Sequence, residues 1–322
     1  MNDTPLITIV IPSYNSAGYI EDTLHSLAAQ TISNFEVIVI DDHSTDNTLE
    51  VAGRAHQALG LKGQVMLRPA ELPKGVASCR NLGVKMANGE WVSFLDSDDL
   101  FLPEKISGTA ELIKKYGDSC FAYFHGSRQF EDGTNKTLRV RDIKTYDEPQ
   151  NIFDQLTREN FITTSSVTLK RSLINEIGGF DITLHGIEDY MLWLRISKRS
   201  PWYYSAELWT DYRVRTSSLM GGRKLEYYVT QNTNLLKSVR NLKEFTAHDT
   251  NAIEYYLFDD VMQYYAMVSL KTGGWKDFLK GLGALRKVGK ANLAKKLFKK
   301  HFKFLVFKKI SYFKTKKINI EL

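Results

Sequence analysis

The chain has 322 residues, of which 43% are hydrophobic and 25% charged, an ordinary soluble composition able to bury a substantial core as one large α/β domain with a helical extension or as two domains. Its two cysteines, Cys79 and Cys120, have neither a disulfide framework nor metal-ligand spacing, and no run of about 18 apolar residues or signal-peptide pattern is evident, so a cytoplasmic chain without a transmembrane helix is expected. The net charge of +6 is uneven: 14 Lys or Arg and no acid lie between Asp277 and Glu321, whereas the remaining 29 basic and 37 acidic residues leave a body of −8, which argues against a nucleic-acid partner.

The first hundred residues alternate strand and helix signals. Ile7–Ile11 and Phe35–Ile40 are apolar, β-branched runs of the kind a buried parallel strand needs. Val65–Leu67 and Trp91–Leu95 read as two further strands. Between them, Tyr19–Gln30, Thr45–Leu59 and Val76–Ala87 have helical periodicity, with Ser44 or Thr45 available to cap the second. This alternation predicts a parallel sheet covered by helices on both faces. A helix then runs to about Tyr116. Phe121–Phe124 and Ser166–Leu169 are strand candidates, Gly178-Gly179 is a turn, and Ile187–Lys198 is an apolar-faced helix. From Leu225 onward only helical signals remain.

Two strand ends carry clustered carboxylates. The first is Asp41-Asp42-His43-Ser44-Thr45-Asp46, after Ile38–Ile40. In open α/β sheets, ligands bind at the carboxyl ends of strands, where a carboxylate can accept from a base N–H or a ribose hydroxyl. An Asp- and Ser-rich turn capping the next helix has the same composition. The second is Asp96-Ser97-Asp98-Asp99, after Phe94-Leu95. Like charges this close suit a hard cation with oxygen ligands, Mg2+ or Mn2+, bridging to phosphate oxygens. A solvated acidic turn is the other reading. Between the clusters, Arg80 and Asn81 fall on a helix that starts at the same sheet edge.

Taken together, Val10-Ile11-Pro12-Ser13-Tyr14-Asn15, the Asp41-Asp42 turn, the Ala77-x-x-Arg80-Asn81 helix and Asp96-x-Asp98-Asp99 resemble glycosyltransferase family 2 over about residues 5 to 220. The resemblance implies a GT-A fold, a Rossmann-like and mostly parallel sheet flanked by helices, with a helical extension after it. It implies a nucleotide-diphosphate sugar donor, UDP-linked, and hexosyl or N-acetylhexosaminyl transfer with inversion to an acceptor hydroxyl. By the same resemblance Pro12 and Asp42 line a uracil pocket, with Tyr14, Asn15, Asp41 and Ser97 in the same nucleotide-sugar site. Asp96 lies near the ribose, Arg80 near the nucleotide, and Asp98 on the metal. The family's Glu-Asp pair matches Glu188-Asp189 after Gly178-Gly179, which makes Asp189 the general base. Two positions depart from the pattern. His43 stands where the family usually has Gly. In Tyr212-Arg213-Val214-Arg215, Arg215 replaces a His; it cannot ligate a metal, but like Arg213 it can pair with phosphate.

The expected organisation is a catalytic domain over residues 1–220, with a nucleotide half to about 115 and an acceptor half after it, and a helical region over 221–322. Over Leu293–Leu305 a helical wheel separates Lys295, Lys296, Lys299, Lys300 and Lys303 from Leu297, Phe298 and Phe302. Such a helix suits an anionic membrane surface carrying a lipid-linked glycan acceptor, or packs on the catalytic domain with its lysines in water. A nucleotidyltransferase, a non-catalytic carbohydrate-binding protein of the same fold and a polymerising synthase are the rival readings.

Overall fold

The computed structural model describes residues 4–141, 147–215, 225–272, 276–287 and 289–301. The chain divides into two compact units, Met1–Leu156 with Asn160–Ser218, and Thr157–Glu159 with Leu219–Leu322.

The first unit is built on one sheet. Strands β1 (Ile7–Ser13), β2 (Phe35–Asp41), β3 (Gly63–Leu67) and β4 (Trp91–Phe94) are parallel and lie in the order β3-β2-β1-β4. Every residue of β1, β2 and β4 is buried, which is why their sequences are continuous apolar runs rather than alternating ones. Helices α1 (Ile20–Ala28), α2 (Thr48–Ala58) and α3 (Val76–Met86) connect them. One expectation about α2 is corrected. The helix begins at Thr48 with Asn47 as its N-cap, so neither Ser44 nor Thr45 caps it: their side chains bond Asp41 and Asn15, and Asp46 Oδ1 accepts the Thr48 N–H at 3.1 Å.

Beyond β4 the sheet is mixed. A two-residue strand β5 (Leu100–Phe101) precedes α4 (Lys105–Tyr116), β6 (Ala122–Glu131) and β7 (Thr137–Arg141). A short helix α5 (Phe153–Leu156) and a 3-10 turn (Thr164–Ser166) lead to β8 (Thr168–Lys170), α6 (Arg171–Ile177), α7 (Glu188–Ser197) and β9 (Trp202–Val214). Strand β8 runs antiparallel to both β4 and β6, β9 is parallel to β6, and β5 is antiparallel to β9. The pairing Leu100↔Asp211 fixes the site, since it returns the end of β9 to the turn that follows β4.

In the second unit α8 (Leu225–Asn241), α9 (Ala247–Thr272), α10 (Lys276–Lys287) and a helix over residues 291–301 pack around Leu235, Val239, Phe258 and Met262. Within 291–301, Ala294 and Leu297 are buried, and Lys300 and His301 both bond Asp259, at 2.5 and 2.8 Å. Lys296 and Lys300 lie over the Tyr255 ring. As far as residue 301 the apolar face is packed within the second unit, and Lys296 and Lys300 are held by Tyr255 and Asp259 instead of standing free in water. Phe302, Lys303 and Phe304 lie outside the described residues. No described helix is long and apolar enough to cross a membrane.

Candidate active site

The carboxyl ends of β1, β2 and β4 open on one edge of the sheet, and the residues singled out in the sequence gather there. Pro12 is buried at the end of β1, while Tyr14 just beyond is 55% exposed. Asn15 adopts φ 49° and ties this loop to the β2 turn: its N–H donates to Ser44 Oγ at 2.9 Å, and its Oδ1 accepts the Thr45 N–H at 2.8 Å. Asp41 is turned inward, accepting the Ser44 N–H at 2.8 Å and the Ser44 hydroxyl. Asp42 accepts the Gly75 N–H at 2.8 Å and pairs with the buried Arg68, which sequence reading passed over. His43 has φ 59°, the left-handed region that glycine occupies without cost, and its Nε2 lies 2.8 Å from Arg68 O. A residue other than glycine thus takes the left-handed conformation in this turn.

At the end of β4 the four residues of the acidic turn have different fates. Asp96 is one-third exposed and accepts from Arg80 Nη2 at 2.7 Å. The Ser97 hydroxyl meets that of Ser16 at 2.7 Å. Asp98 pairs with Arg215 Nη2 at 2.9 Å. Asp99 is buried, taking the Ser165 hydroxyl at 2.5 Å and the Arg213 N–H at 3.0 Å. Burial and the charge of Asp96 push the Asp98 carboxyl above its ordinary range, against the pull of Arg215. Burial beside Asp98 and Asp96 raises Asp99 further.

Arg80 is buried on α3 and bridges two parts of the chain, donating to Asp96 and, through Nη1 at 2.9 Å, to Glu188. Burial opposes its charge, but Asp96 and Glu188 hold its pKa above the ordinary value. Glu188 and Asp189 open α7, where acids are favoured by the helix dipole. Asp189 Oδ1 accepts the Tyr190 N–H at 2.6 Å and Oδ2 accepts the Thr164 hydroxyl at 2.9 Å. Burial, with Glu188 beside it, raises its pKa to about 6 even though Arg80 and Thr164 pull it down.

The two arginines of β9 and its exit differ. Arg213 donates through Nε to Asp98 O at 2.9 Å, and its terminal nitrogens reach Asp132 at 3.0 Å and Asp22 at 3.2 Å. It is a clamp between elements. Arg215 has its guanidinium on the Asp98 carboxylate and over the Tyr19 ring.

The turn before α7 depends on glycine. Gly178 (φ 88°) closes α6, and its N–H reaches Ile174 O at 3.1 Å. Gly179 has φ 75°, and a Cβ there would come within 2.4 Å of Asn81 Oδ1. Asn81 in turn holds Phe180 by two bonds, at 2.8 and 2.9 Å. Gly179→Ala is therefore expected to cost about 2–3 kcal/mol, from the strained φ and the displaced amide together. Urea unfolding would show it as a lower midpoint at unchanged slope.

The sequence profile of Glycosyl transferase family 2 matches residues 8–178. The Escherichia coli protein UDP-Glc:alpha-D-GlcNAc-diphosphoundecaprenol beta-1,3-glucosyltransferase WfgD is 32% identical over 61% of this chain and 71% of its own. Among solved structures, S. aureus TarS 1-349 in complex with UDP-GlcNAc superposes with a TM-score of 0.63 at 20% identity, covering 86% of this chain and 79% of that one. Mannosyltransferase PcManGT from Pyrobaculum calidifontis, in complex with GDP-Man and Mn2+, gives 0.55 at 18% identity, over 97% and 83%. The fold is therefore GT-A with helices following it, and, with more than half of its length matched by the profile and carboxylates gathered at the strand ends, the chain belongs to glycosyl transferase family 2.

Proposed function

We propose that this glycosyltransferase moves a sugar from a UDP-sugar to an acceptor hydroxyl with inversion, using Asp189 as general base. The observation that carries the reading is the chain of contacts from the acidic turn after β4, through Arg80, to Glu188 beside Asp189. Arg80 holds Asp96 and Glu188, the sequence neighbour of Asp189, on one buried cation, which supports reading the two carboxylate clusters as one site. An acceptor hydroxyl is a weak nucleophile and needs a carboxylate within hydrogen-bond reach to take its proton as it attacks. With a pKa of about 6, Asp189 is mostly ionised at pH 7 and still more basic than an ordinary aspartate.

On the donor side, Pro12, Tyr14, Asn15, Asp41 and Asp42 would hold the base and ribose, with Asp96 and Ser97 beside them. Mg2+ or Mn2+ fits the acidic turn. Such an ion is commonly held by one or two carboxylates together with substrate phosphates, and Asp98, next to Asp96, already faces a cation in the form of Arg215. Asp98 would hold the metal, and a bound ion there would offset the charge of the leaving diphosphate. Arg215, released from Asp98, can turn to phosphate oxygens. The Arg213 side chain is occupied by Asp132 and Asp22 and keeps the turn in place.

The acceptor is proposed to be a growing polysaccharide or a lipid-linked glycan; the name of the E. coli relative gives a diphosphoundecaprenol-linked GlcNAc as the acceptor of that protein. The decisive experiment is a screen of nucleotide sugars for UDP release with Mn2+ present, starting with UDP-glucose and UDP-N-acetylglucosamine. UDP binding without turnover of any donor would favour the non-catalytic reading.

Attachment to the inner face of an anionic membrane is proposed for the basic tail. The body carries −8 and the segment after Asp277 carries 14 basic residues, so any attraction must come from the tail. Lys295 and Lys299 are on the exposed side of the helix over 291–301. Reversing them with Lys303 to Glu is expected to abolish flotation with phosphatidylserine vesicles, at about 1 kcal/mol per lysine near the surface, while donor hydrolysis in solution is kept. Failure of the wild type to float at low salt would leave packing as the tail's role.

A further inference from the structure

The 3-10 turn Thr164–Ser166 carries no motif, yet two consecutive hydroxyls on it hold the two halves of the site. The Ser165 Oγ accepts the Asp96 N–H at 3.1 Å and donates to Asp99 Oδ2 at 2.5 Å. Its neighbour Thr164 donates to Asp189 Oδ2 at 2.9 Å. The turn is rigid for identifiable reasons. It is closed by the Ser166 N–H on Thr163 O at 2.9 Å and the Val167 N–H on Thr164 O at 3.1 Å, and the Thr210 hydroxyl caps Ser165 O at 3.0 Å. All three of its side chains are buried. The distance from the acidic turn to Asp189 is therefore set by one residue step of a pinned backbone.

We propose that Thr164 is the positioning residue of the general base: its hydroxyl fixes the rotation of the Asp189 carboxylate and, through Ser165 next to it, the placement of that carboxylate relative to the Asp96–Asp99 turn. The proposal rests on the reading of Asp189 as the base. Apart from Thr164, the bond given to this carboxylate comes from the backbone N–H of Tyr190, adjacent in sequence, which moves with it. A base must lie within about 2.6–3.2 Å of the proton it takes, so a carboxylate free to swing loses much of its rate. The charged groups acting on Asp189 are Glu188, which disfavours its ionised form, and Arg80, which favours it. The Thr164 O–H also favours the ionised form, so its removal should raise the pKa of the base.

Thr164→Val keeps the shape and removes the hydroxyl, whereas Thr164→Ser keeps the hydroxyl. UDP release from UDP-glucose and UDP-N-acetylglucosamine with Mn2+ gives kcat and KM. A carboxyl 13C titration of aspartate-labelled protein gives the pKa directly, with the Asp189 signal identified by its loss in Asp189→Asn. Thr164→Val is expected to lower kcat about tenfold or more with donor KM unchanged. It should also move the Asp189 titration, and the acid limb of activity, up by about one pH unit. Thr164→Ser should restore both. An inactive Asp189→Asn together with a Thr164→Val protein whose kcat and Asp189 titration match wild type overturns this proposal alone. A fully active Asp189→Asn overturns the base assignment and this proposal with it.

Discussion

Asp189→Asn is expected to lower the rate of transfer about 10²–10⁴-fold, the usual loss on removing a general base, while leaving UDP affinity within about twofold of wild type. The amide keeps the shape of the carboxylate and can still accept one of the two bonds that Thr164 and Tyr190 now donate. It cannot take a proton. Donor affinity should survive because the residues proposed to hold the nucleotide, on β1, β2 and the turn after β4, do not depend on Asp189. In the wild type the base works only when ionised. Activity should therefore fall below pH 6 with an apparent pKa of about 6, well above the range of an exposed aspartate, because burial and Glu188 raise it. That limb should vanish from the residual activity of the variant. Calorimetry showing UDP binding lost together with activity would make Asp189 a structural residue instead.

Asp98→Ala should lower turnover about 10²–10³-fold, since several kcal/mol of charge stabilisation at the diphosphate depends on a metal held there. EDTA should have the same effect on the wild type and little further effect on the variant. Some stability should be lost as well, because the Asp98–Arg215 pair is only one-fifth exposed on each side and its removal leaves a largely buried guanidinium without its carboxylate. A UDP-dependent Mn2+ binding isotherm should be lost as well. Full turnover of the wild type in EDTA would overturn the metal reading. It would leave Arg215 as the cation that serves the diphosphate, because the side chain of Arg213 is bound to Asp132 and Asp22.

The parallel half of the sheet was legible because its signals are local. Ile7–Ile11, Phe35–Ile40 and Trp91–Leu95 are buried on both faces, and burial on both faces writes a continuous apolar run into the sequence. Strand β9 escaped notice for the opposite reason. Its 13 residues include polar ones, and its register against β6 shifts around Gly126, so it carries no clean period of two. The two-residue β5 has no period at all, yet it is the pairing that carries Arg213 and Arg215 back to the acidic turn.

By itself the sequence determined which strands end in carboxylates and that a Glu-Asp pair opens a helix, since each of these is a short pattern read along one segment. It could not determine which cation meets which carboxylate. Arg80 and Glu188 are 108 residues apart, and Arg213 and Asp22 are 191 apart. Arg213 and Arg215 are chemically alike in the sequence, yet in the fold one is a clamp between elements and the other stands on Asp98. Nor could it show that the Thr164 and Ser165 hydroxyls divide two carboxylates between them, because Ser and Thr satisfy so many local backbone partners that their composition predicts none. Those assignments depend on distance across the sheet, which the pairing of β8 with β4, the pairing of β9 with β5 and the tie of α7 to α3 through Arg80 decide.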